Sequence, residues 1–281
     1  MTQPAVTIND LLGDLRPDQA LCAFNVETFD TLRPAMLAAA EVQAPLVVSW
    51  TVPAARYLGH ELVAELVGAL ARRYGVRYAL HLDHCESAEE IREAVQSGFT
   101  SANYLNEGAI KPEDYIPTAQ NLRASLGDAV SLEFILGELG HSHDGDAASR
   151  QAPSAAEVHE FIAQCGPDVV GFECGSLHGM DHRSREIDIA LVREVSSTTG
   201  VPIVLHGASG VAIDALREGI DAGLRKINIE TAVRASFLTG LRNALKDEEI
   251  QRKPRKITMA TDTALTGTFV ELLTDLTLRK M

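Results

Sequence analysis

Residues 75–98, GVRYALHLDHCESAEEIREAVQSG, contain one short apolar strand followed by one amphipathic helix. The run YALHL at 78–82 is mostly apolar, which is typical of a buried strand. Residues 87–97 place apolar side chains three and four positions apart, as on one face of a helix. Ser87, with Glu90 three positions later, predicts a capping box at the start of that helix. The stretch therefore predicts one strand–helix unit.

The same unit recurs along the chain, and Ser154 with Glu157 predicts a second capping box. The predicted strands are residues 21–26, 45–51, 78–82, 100–105, 130–136, 168–173, 202–206 and 225–229. The predicted helices are residues 30–43, 60–73, 87–97, 113–125, 154–165, 187–198, 212–222 and 231–246. Eight such units predict an α/β fold, a closed parallel (β/α)8 TIM barrel, because an open doubly wound sheet usually has fewer units in this length.

The two ends of the chain are expected to add helices to the barrel. Residues 7–15 predict a short helix that plugs or flanks the lower end of the barrel. In the tail from residue 247 to 281, the charged segment KDEEIQRKPRK is expected in solvent, and 264–278 predict a further amphipathic helix. We expect this helical tail to pack on a partner subunit. No linker or charge block divides the chain, so residues 1–281 are predicted to form a single domain.

The composition is that of a globular protein with a large core. The chain has 281 residues, of which 46% are hydrophobic and 23% charged, with a net charge of −14. This acidity disfavours non-specific binding to nucleic acid or an anionic membrane. No stretch reaches the ~20 apolar residues of a membrane span, and MTQPAVTINDLL lacks the features of a signal peptide. Because the cysteines show no paired spacing, we expect reduced core thiols in a cytoplasmic protein: Cys22, Cys85, Cys165 and Cys174.

Three histidines stand at the ends of predicted strands. His84 ends the motif HLDH, His178 lies in LHG, and His206 begins HGASG. Parallel neighbouring strands would bring these imidazoles to one point, and three protein ligands with an open fourth position describe a catalytic metal site. A hydrogen-bonded core position is the simpler interpretation of any one histidine, but three at matching strand ends favour the metal.

Other polar residues follow the strands, and barrel enzymes build their sites at these carboxyl ends. The regular series Cys174, His178 and His182 resembles a helical metal motif, but it crosses a predicted strand end and loop and is interpreted as accidental. The strand-end residues are Asn25, Thr51, Asp83, His84, Asn106, His178, His206, Gly207, Ser209, Asn228 and Thr231.

The order of several motifs resembles the class II, metal-dependent ketose-bisphosphate aldolases. The motifs are AFNVETFDTL, YALHLDHCES, EAVQSGFTSANYL, LEFILGELG, GSLHGMDH, PIVLHGASGV and RKINIETAVRASF. The resemblance runs from about residue 7 to about residue 245, and HLDH combined with LHGASG and KINIET is more specific than any single block. Within that family the chain looks nearest to the tagatose- and fructose-bisphosphate aldolase branch.

The resemblance implies zinc-dependent chemistry. His84, His178 and His206 would hold one catalytic Zn²⁺ per chain, and the family also allows a monovalent cation. The metal would chelate dihydroxyacetone phosphate and stabilise, as a Lewis acid, the enediolate formed beside its carbonyl. No Schiff-base lysine is then required, so Lys226 in the eighth strand is not expected to act as one.

Asp83 matches the acid/base aspartate of the family. In cleavage it would accept the proton of the C4 hydroxyl, and in condensation it would protonate the aldehyde oxygen. The alternative is that Asp83 only orients a metal ligand.

The resemblance also implies a phosphate site formed by backbone amides and small hydroxyl groups after the last strands. Thr231 would cap the helix that it opens and donate a hydrogen bond. Glu230 is expected to point toward the substrate hydroxyls or away from the anion. The alternative is a turn and a cap without a ligand. The matching residues are Gly179, Gly207, Ala208, Ser209, Asn228, Ile229, Glu230 and Thr231.

Three segments depart from the pattern of the family. The loop at 140–145 reads GHSHDG, and His143 stands where the family has a catalytic glutamate. His143 would serve as the base, although His141 or His143 could instead bind the metal or lie in solvent. The segment 104–107 lacks an aspartate and 132–137 lacks a second glutamate, which makes the pocket less polar.

The leading hypothesis is a metal-dependent aldolase. It would reversibly cleave a phosphorylated ketose, either a ketose 1,6-bisphosphate or a ketose 1-phosphate, to dihydroxyacetone phosphate and an aldehyde. One alternative is a related class II aldolase or lyase with a different sugar or acid substrate. Another is a catalytically silent homologue that binds sugar phosphate or metal. The expected partners are a small-molecule sugar phosphate and further copies of the chain in a homodimer or homotetramer.

Overall fold

The computed structural model describes residues 5–105, 112–137, 152–175 and 186–279. Its sheet is a closed barrel of eight parallel strands in chain order, and β1 pairs with β8. Each predicted strand is present, with bounds that differ by at most three residues, so the predicted TIM barrel is confirmed. The strands are β1 (Leu21–Asn25), β2 (Leu46–Thr51), β3 (Tyr78–Cys85), β4 (Ser101–Tyr104), β5 (Ser131–Leu136), β6 (Val169–Phe172), β7 (Ile203–Leu205) and β8 (Leu224–Ile229).

The predicted barrel helices are α2 and α4 to α10. The sequence did not predict α3, which lies between β2 and α4 and has a proline in its first turn. In the described part of the chain, none of the helices has the length and apolar character needed to cross a membrane. The helices are α1 (Ile8–Gly13), α2 (Phe29–Val42), α3 (Val52–Leu58), α4 (His60–Tyr74), α5 (Ala88–Gln96), α6 (Pro112–Leu126), α7 (Ala155–Cys165), α8 (Ile189–Thr199), α9 (Ile213–Ala222), α10 (Thr231–Ala244) and α11 (Pro254–Leu272).

Helix α1 closes the lower end of the barrel, as the sequence predicts. Ile8 and Leu11 are fully buried and belong to one apolar cluster with residues of the barrel interior. Just before the helix, the Val6 amide donates to the carbonyl oxygen of Tyr78 at the amino end of β3, over 3.0 Å. The strand residues of the cluster are Leu21, Ala23, Val47, Ala79, Ile135, Val169 and Val204.

Only one of the two predicted capping boxes forms completely. Ser87 Oγ accepts the Glu90 amide at 3.3 Å, so Ser87 caps α5 as predicted. The Glu90 carboxylate instead accepts a hydrogen bond of 2.8 Å from Arg56 Nε. The predicted contact from the Glu90 side chain back to Ser87 is therefore wrong, because Arg56 of α3 binds the Glu90 carboxylate. At Ser154 and Glu157 both halves of the box form.

The C-terminal helix begins ten residues earlier than predicted, at Pro254. Part of the segment expected in solvent is therefore helical, and a π-helical turn at Leu273–Leu278 follows α11. Helix α11 packs against α2 and α10, and the rings of Phe269 and Phe24 lie 4.6 Å apart. The tail thus covers its own barrel, and its contact with a partner subunit stays a prediction.

The four cysteines are buried and unpaired, which confirms the predicted core thiols. Burial raises the pKa of Cys22 and of Cys174 to about 12. It raises the pKa of Cys85 and of Cys165 to about 11, so all four thiols stay protonated near neutral pH.

Leu11→Ala is expected to lower the free energy of unfolding by about 2–5 kcal/mol, because it leaves a cavity beneath the barrel. The matched control is Leu62→Ala in α4, where the leucine is 51% exposed. The control should stay within about 0.5 kcal/mol of the parent. Urea titration followed by circular dichroism measures both values. Equal losses in the two variants would contradict the role of α1 as a plug.

Candidate active site

Most of the predicted site residues meet in one cleft at the carboxyl ends of β1, β3, β7 and β8. Ala208 and Ile229 lie beside it, but their side chains belong to the outer apolar core, so they could offer a ligand only backbone groups. The residues that line the cleft are Asn25, Asp83, His84, His206, Gly207, Ser209, Asn228, Glu230 and Thr231.

Some predicted residues lie outside the described part of the chain. They include the predicted base His143, the third metal ligand His178, and Gly179. Asn106 and His141 also lie outside it. The roles given to these residues therefore stay predictions.

The end of β3 brings two consecutive side chains to the cleft. In a regular strand, Asp83 and His84 would point to opposite faces. His84 instead has a φ of +58°, in the left-handed region, and the register between β3 and β4 shifts between Leu82 and Cys85. Nε2 of His84 consequently lies 3.8 Å from Oδ2 of Asp83. A local backbone irregularity thus lets the motif HLDH present adjacent residues to one site.

Asp83, His84 and His206 offer one ligand atom each within 4.8 Å of one another. The rings of His84 and His206 have centroids 5.6 Å apart and are inclined at 74°. Imidazole nitrogen and carboxylate oxygen are common ligands of zinc. The donor atoms of this upper group, Asp83, His84 and His206, therefore suit zinc, either with all three as ligands or with the two imidazoles as ligands and the carboxylate beside the ion.

Buried oxygen atoms around the upper group also suit a cation or a hydroxylated ligand. Asn25 Nδ2 donates to Asp83 Oδ2 at 2.8 Å, which orients the carboxylate. Among the described residues, Asp83 Oδ1, Asn25 Oδ1 and Asn228 Oδ1 have no hydrogen-bond partner. Buried acceptors without a donor cost free energy, so the cleft is prepared for a group that supplies positive charge or protons.

A second group of possible ligands, His81, Asp83 and Glu133, lies deeper in the barrel. Here the protein supplies the cation itself. Lys226 Nζ lies 2.7 Å from Glu133 Oε2 and 3.3 Å from His81 Nε2, and all three side chains are buried. The ammonium occupies the space that a metal would need, so the upper group is the better candidate. An ammonium paired in this way is also a poor nucleophile, which agrees with the expectation that Lys226 forms no Schiff base.

The surrounding groups keep Asp83 ionised. Burial alone would raise its pKa, but the neighbouring His84 above all, together with His206, holds the pKa of Asp83 well below its usual range. Burial opposes ionisation of Glu133 too, but Lys226 and His206 leave the pKa of Glu133 lowered. Asp83 is therefore a carboxylate near neutral pH, which is the form required of a general base.

The loop after β7 caps the helix after β8. Gly207 has a φ of +68°, and Ser209 Oγ accepts the Ala232 amide at 3.2 Å in the first turn of α10. The prediction that Thr231 caps this helix is wrong, because Thr231 is already the first helical residue. The cap comes from a different loop, which periodicity along α10 could not reveal.

Glu230 pairs with Arg234, whose Nη1 donates to Oε1 at 2.8 Å. This pair offsets the negative charge of Glu230 beside the first turn of α10. A helix N-terminus favours anions through its amides and its dipole, so the described loops are compatible with the predicted phosphate site.

Two apolar residues, one directly after β4 and one in β5, lie in the barrel interior, where the sequence predicts a less polar pocket. Leu105 and Ile135 are buried in the interior apolar cluster. A Cβ atom added at Gly171 would lie 2.3 Å from Ile135 Cδ1, so glycine makes room for the isoleucine. The positions where the family has carboxylates are thus filled by packed hydrocarbon.

The sequence analysis missed the polar contacts that support the site. The sequence pattern marks Asn25 only as a strand-end residue, and it predicts no role for Glu133 or His81. One pattern in the sequence could have revealed them. Polar or charged residues two positions apart in an otherwise apolar strand share one face of it, and here that face lines the barrel interior.

These features define an α/β-barrel protein with a candidate metal-dependent active site at the carboxyl end of its barrel. The chain matches the family model described as fructose-bisphosphate aldolase class-II over residues 7–279, and it belongs to this family. Members of the family are normally zinc-dependent lyases.

Three solved structures show the same fold. The YdjI aldolase from Escherichia coli K12 is 21% identical, with a TM-score of 0.84 over 97% of each chain. A putative fructose-1,6-biphosphate aldolase from Coccidioides immitis is 20% identical, with a TM-score of 0.82 over 96% of this chain and 95% of that one. Fructose-bisphosphate aldolase (Fba) from Campylobacter jejuni is 19% identical, with a TM-score of 0.76 over 98% and 96%.

Ser209→Ala is expected to lower the free energy of unfolding by about 0.5–2 kcal/mol, because the Ala232 amide loses its cap. Ser197→Ala is the control, since Ser197 is exposed and donates only to its own helix. Its loss should stay within about 0.5 kcal/mol. Chemical denaturation measures both, and an unchanged stability of Ser209→Ala would argue against the cap.

Proposed function

We propose that this protein is a zinc-dependent aldolase that reversibly cleaves a phosphorylated ketose to dihydroxyacetone phosphate and an aldehyde. The observation that carries the proposal is the convergence of Asp83, His84 and His206 at the carboxyl end of the barrel. Membership of the class II aldolase family supports the reaction class.

The metal would be held by His84 and His206, with His178 as the third ligand. When bound, zinc supplies a Lewis acid that polarises the carbonyl and hydroxyl oxygens of the ketose. His84 is turned into the cleft by its backbone, and the His206 ring is fixed from below by Glu133 at 2.8 Å. The two imidazoles are therefore held in place before a ligand arrives.

Asp83 would carry the proton of the reacting hydroxyl. In cleavage its carboxylate accepts the C4 hydroxyl proton, the C4 oxygen becomes the aldehyde, and the C3–C4 bond breaks. The bonding electron pair stays with the dihydroxyacetone phosphate fragment, which is then protonated at C3. His143 is our candidate for that second proton transfer. In condensation each proton returns along the same route.

The substrate phosphate would bind between the loop after β7 and the start of α10. Gly207 would allow close approach of the backbone, a role predicted from the sequence for Gly179 too, while Ser209 and Thr231 provide hydroxyl groups. The first turn of α10 contributes amides and a favourable dipole. The phosphate would thus anchor one end of the ketose and align its carbonyl with the two imidazoles.

A second candidate is the same chemistry with a different sugar or acid as the aldehyde-derived part. It is favoured by Leu105 and Ile135, buried apolar residues at the positions where the resemblance places carboxylates, because these positions offer a substrate no polar group. Release of dihydroxyacetone phosphate across a panel of ketose phosphates distinguishes the two candidates. Solvent deuterium exchange into dihydroxyacetone phosphate is expected for both, and its absence would favour a silent binding protein.

The protein is expected to bind about one Zn²⁺ per chain and to lose lyase activity after dialysis against a chelator. His84→Ala should weaken zinc binding by more than about tenfold, because it removes a ligand. His159→Ala, on the exposed face of α7, is the control and should bind zinc as the parent does. Isothermal titration calorimetry measures the affinities. Full activity of metal-free protein would contradict the proposal.

Asp83→Asn is expected to retain zinc but to lower kcat by about 10²–10⁴-fold, because an amide cannot accept the hydroxyl proton. Asp214→Asn, whose carboxylate is 97% exposed, is the control and should be unaffected. Steady-state kinetics and metal analysis of the same preparations separate the two effects. A variant with normal kcat would exclude Asp83 as the acid/base group.

A further inference from the structure

We propose that Glu133, held in place by Lys226, is a positioning residue that keeps the proton of His206 on Nε2 and so reserves Nδ1 for the metal. The inference rests on the proposed function, because it concerns how His206 would bind zinc. It assigns a role to Glu133, Lys226 and His81, three interior side chains that no ligand is expected to touch.

Glu133 accepts three hydrogen bonds inside the barrel. Oε1 accepts from His206 Nε2 at 2.8 Å and from Asn103 Nδ2 at 2.7 Å. Oε2 accepts from Lys226 Nζ at 2.7 Å. An ionised carboxylate is an acceptor only, so the nitrogen of His206 that faces it must carry the proton. A metal ligand must offer a lone pair, and with the proton held on Nε2 the nitrogen of His206 that can offer one is Nδ1.

Lys226 supplies the charge that keeps Glu133 in this form. Both side chains are fully buried, and a buried carboxylate without a cation would be strongly disfavoured. Lys226 spans the barrel interior from β8 to reach Glu133 on β5. The pair therefore links two strands and fixes the direction of both carboxylate oxygens.

His81 holds Lys226 from the other side. Ser101 Oγ donates to the Ser131 carbonyl oxygen at 3.0 Å, so His81 Nδ1 is the donor in its 2.8 Å contact with Ser101. His81 Nε2 is then an acceptor and faces Lys226 Nζ at 3.3 Å. Burial and Lys226 lower the pKa of His81, in agreement with a neutral ring. The ammonium is thus placed between two defined acceptors.

Glu133 contacts only one of the two ring nitrogens of His206, whereas Asn228 in β8 is equally near to both. Asn228 Nδ2 lies 3.3 Å from both Nδ1 and Nε2 of His206. The short contact with Glu133 involves Nε2 alone. A carboxylate behind a metal-bound imidazole fixes its tautomer and raises its basicity.

The first experiment uses the parent protein with ¹⁵N-labelled histidine. Long-range ¹H–¹⁵N spectra of the zinc-free protein should show His206 with its proton on Nε2. Addition of zinc should shift the Nδ1 resonance of His206 and leave Nε2 protonated. A zinc-free ring protonated on Nδ1 alone, or zinc on Nε2, would overturn the inference. His206→Asn supplies the resonance assignment.

The second experiment replaces the ion pair without leaving a single charge in the barrel. Glu133→Met/Lys226→Met removes the acceptor of His206 and should weaken zinc binding by about 10–100-fold. Glu133→Gln/Lys226→Met keeps an oxygen acceptor and should recover most of that loss. Ser49→Ala is the control, since Ser49 is buried in the same barrel and its Oγ has no partner among the described residues.

Zinc affinities from calorimetry are compared only between variants whose circular dichroism matches that of the parent. Equal affinities for both double variants and the control would overturn the inference. If Glu133→Met/Lys226→Met does not fold, the spectra of the parent decide. Failure of the proposed function can be told apart from failure of this inference. A parent protein that binds no zinc contradicts the proposed function, whereas its zinc-free spectrum still shows which nitrogen of His206 carries the proton.

Discussion

The pairing of β1 with β8 closes the sheet, and the candidate site depends on that closure. Phe24 of β1 lies in register with Ile229 of β8, so the next residues at both strand ends face one cleft. Asn25 and Asp83 meet there, although 58 positions separate them in sequence. His206 and Asn228 come from the other side of the same seam. An open sheet would leave these groups at distant edges.

Inside the closed barrel, charge is arranged in two levels with different roles. The lower level contains a carboxylate and an ammonium, Glu133 and Lys226, which satisfy one another. The upper level contains Asp83 and two imidazoles, with buried oxygen atoms that lack donors among the described residues. This difference explains why the upper level is the candidate for a metal and substrate. The lower level is suited to support it.

Much of the fold could be predicted from the sequence, because apolar strands and amphipathic helices alternate with regular spacing. The motif HLDH also predicted Asp83 and His84 as a pair, but strand geometry alone would have separated them. Their convergence requires the positive φ of His84, which no local pattern shows. The cap of α10 by Ser209 and the pairing of Glu90 with Arg56 are tertiary contacts. For that reason, the residues nearby in sequence predict the first turns of α5 and α10 only incompletely.

The central claim is that zinc binds at the upper group, and anomalous X-ray scattering from zinc-loaded crystals tests it most directly. We expect a peak at the zinc edge between His84 and His206, about 2.0–2.1 Å from one nitrogen of each ring. Lys226 should remain paired with Glu133 in the same crystals. A peak between His81 and Glu133, with Lys226 displaced, would contradict the account, and so would the absence of any peak within the barrel.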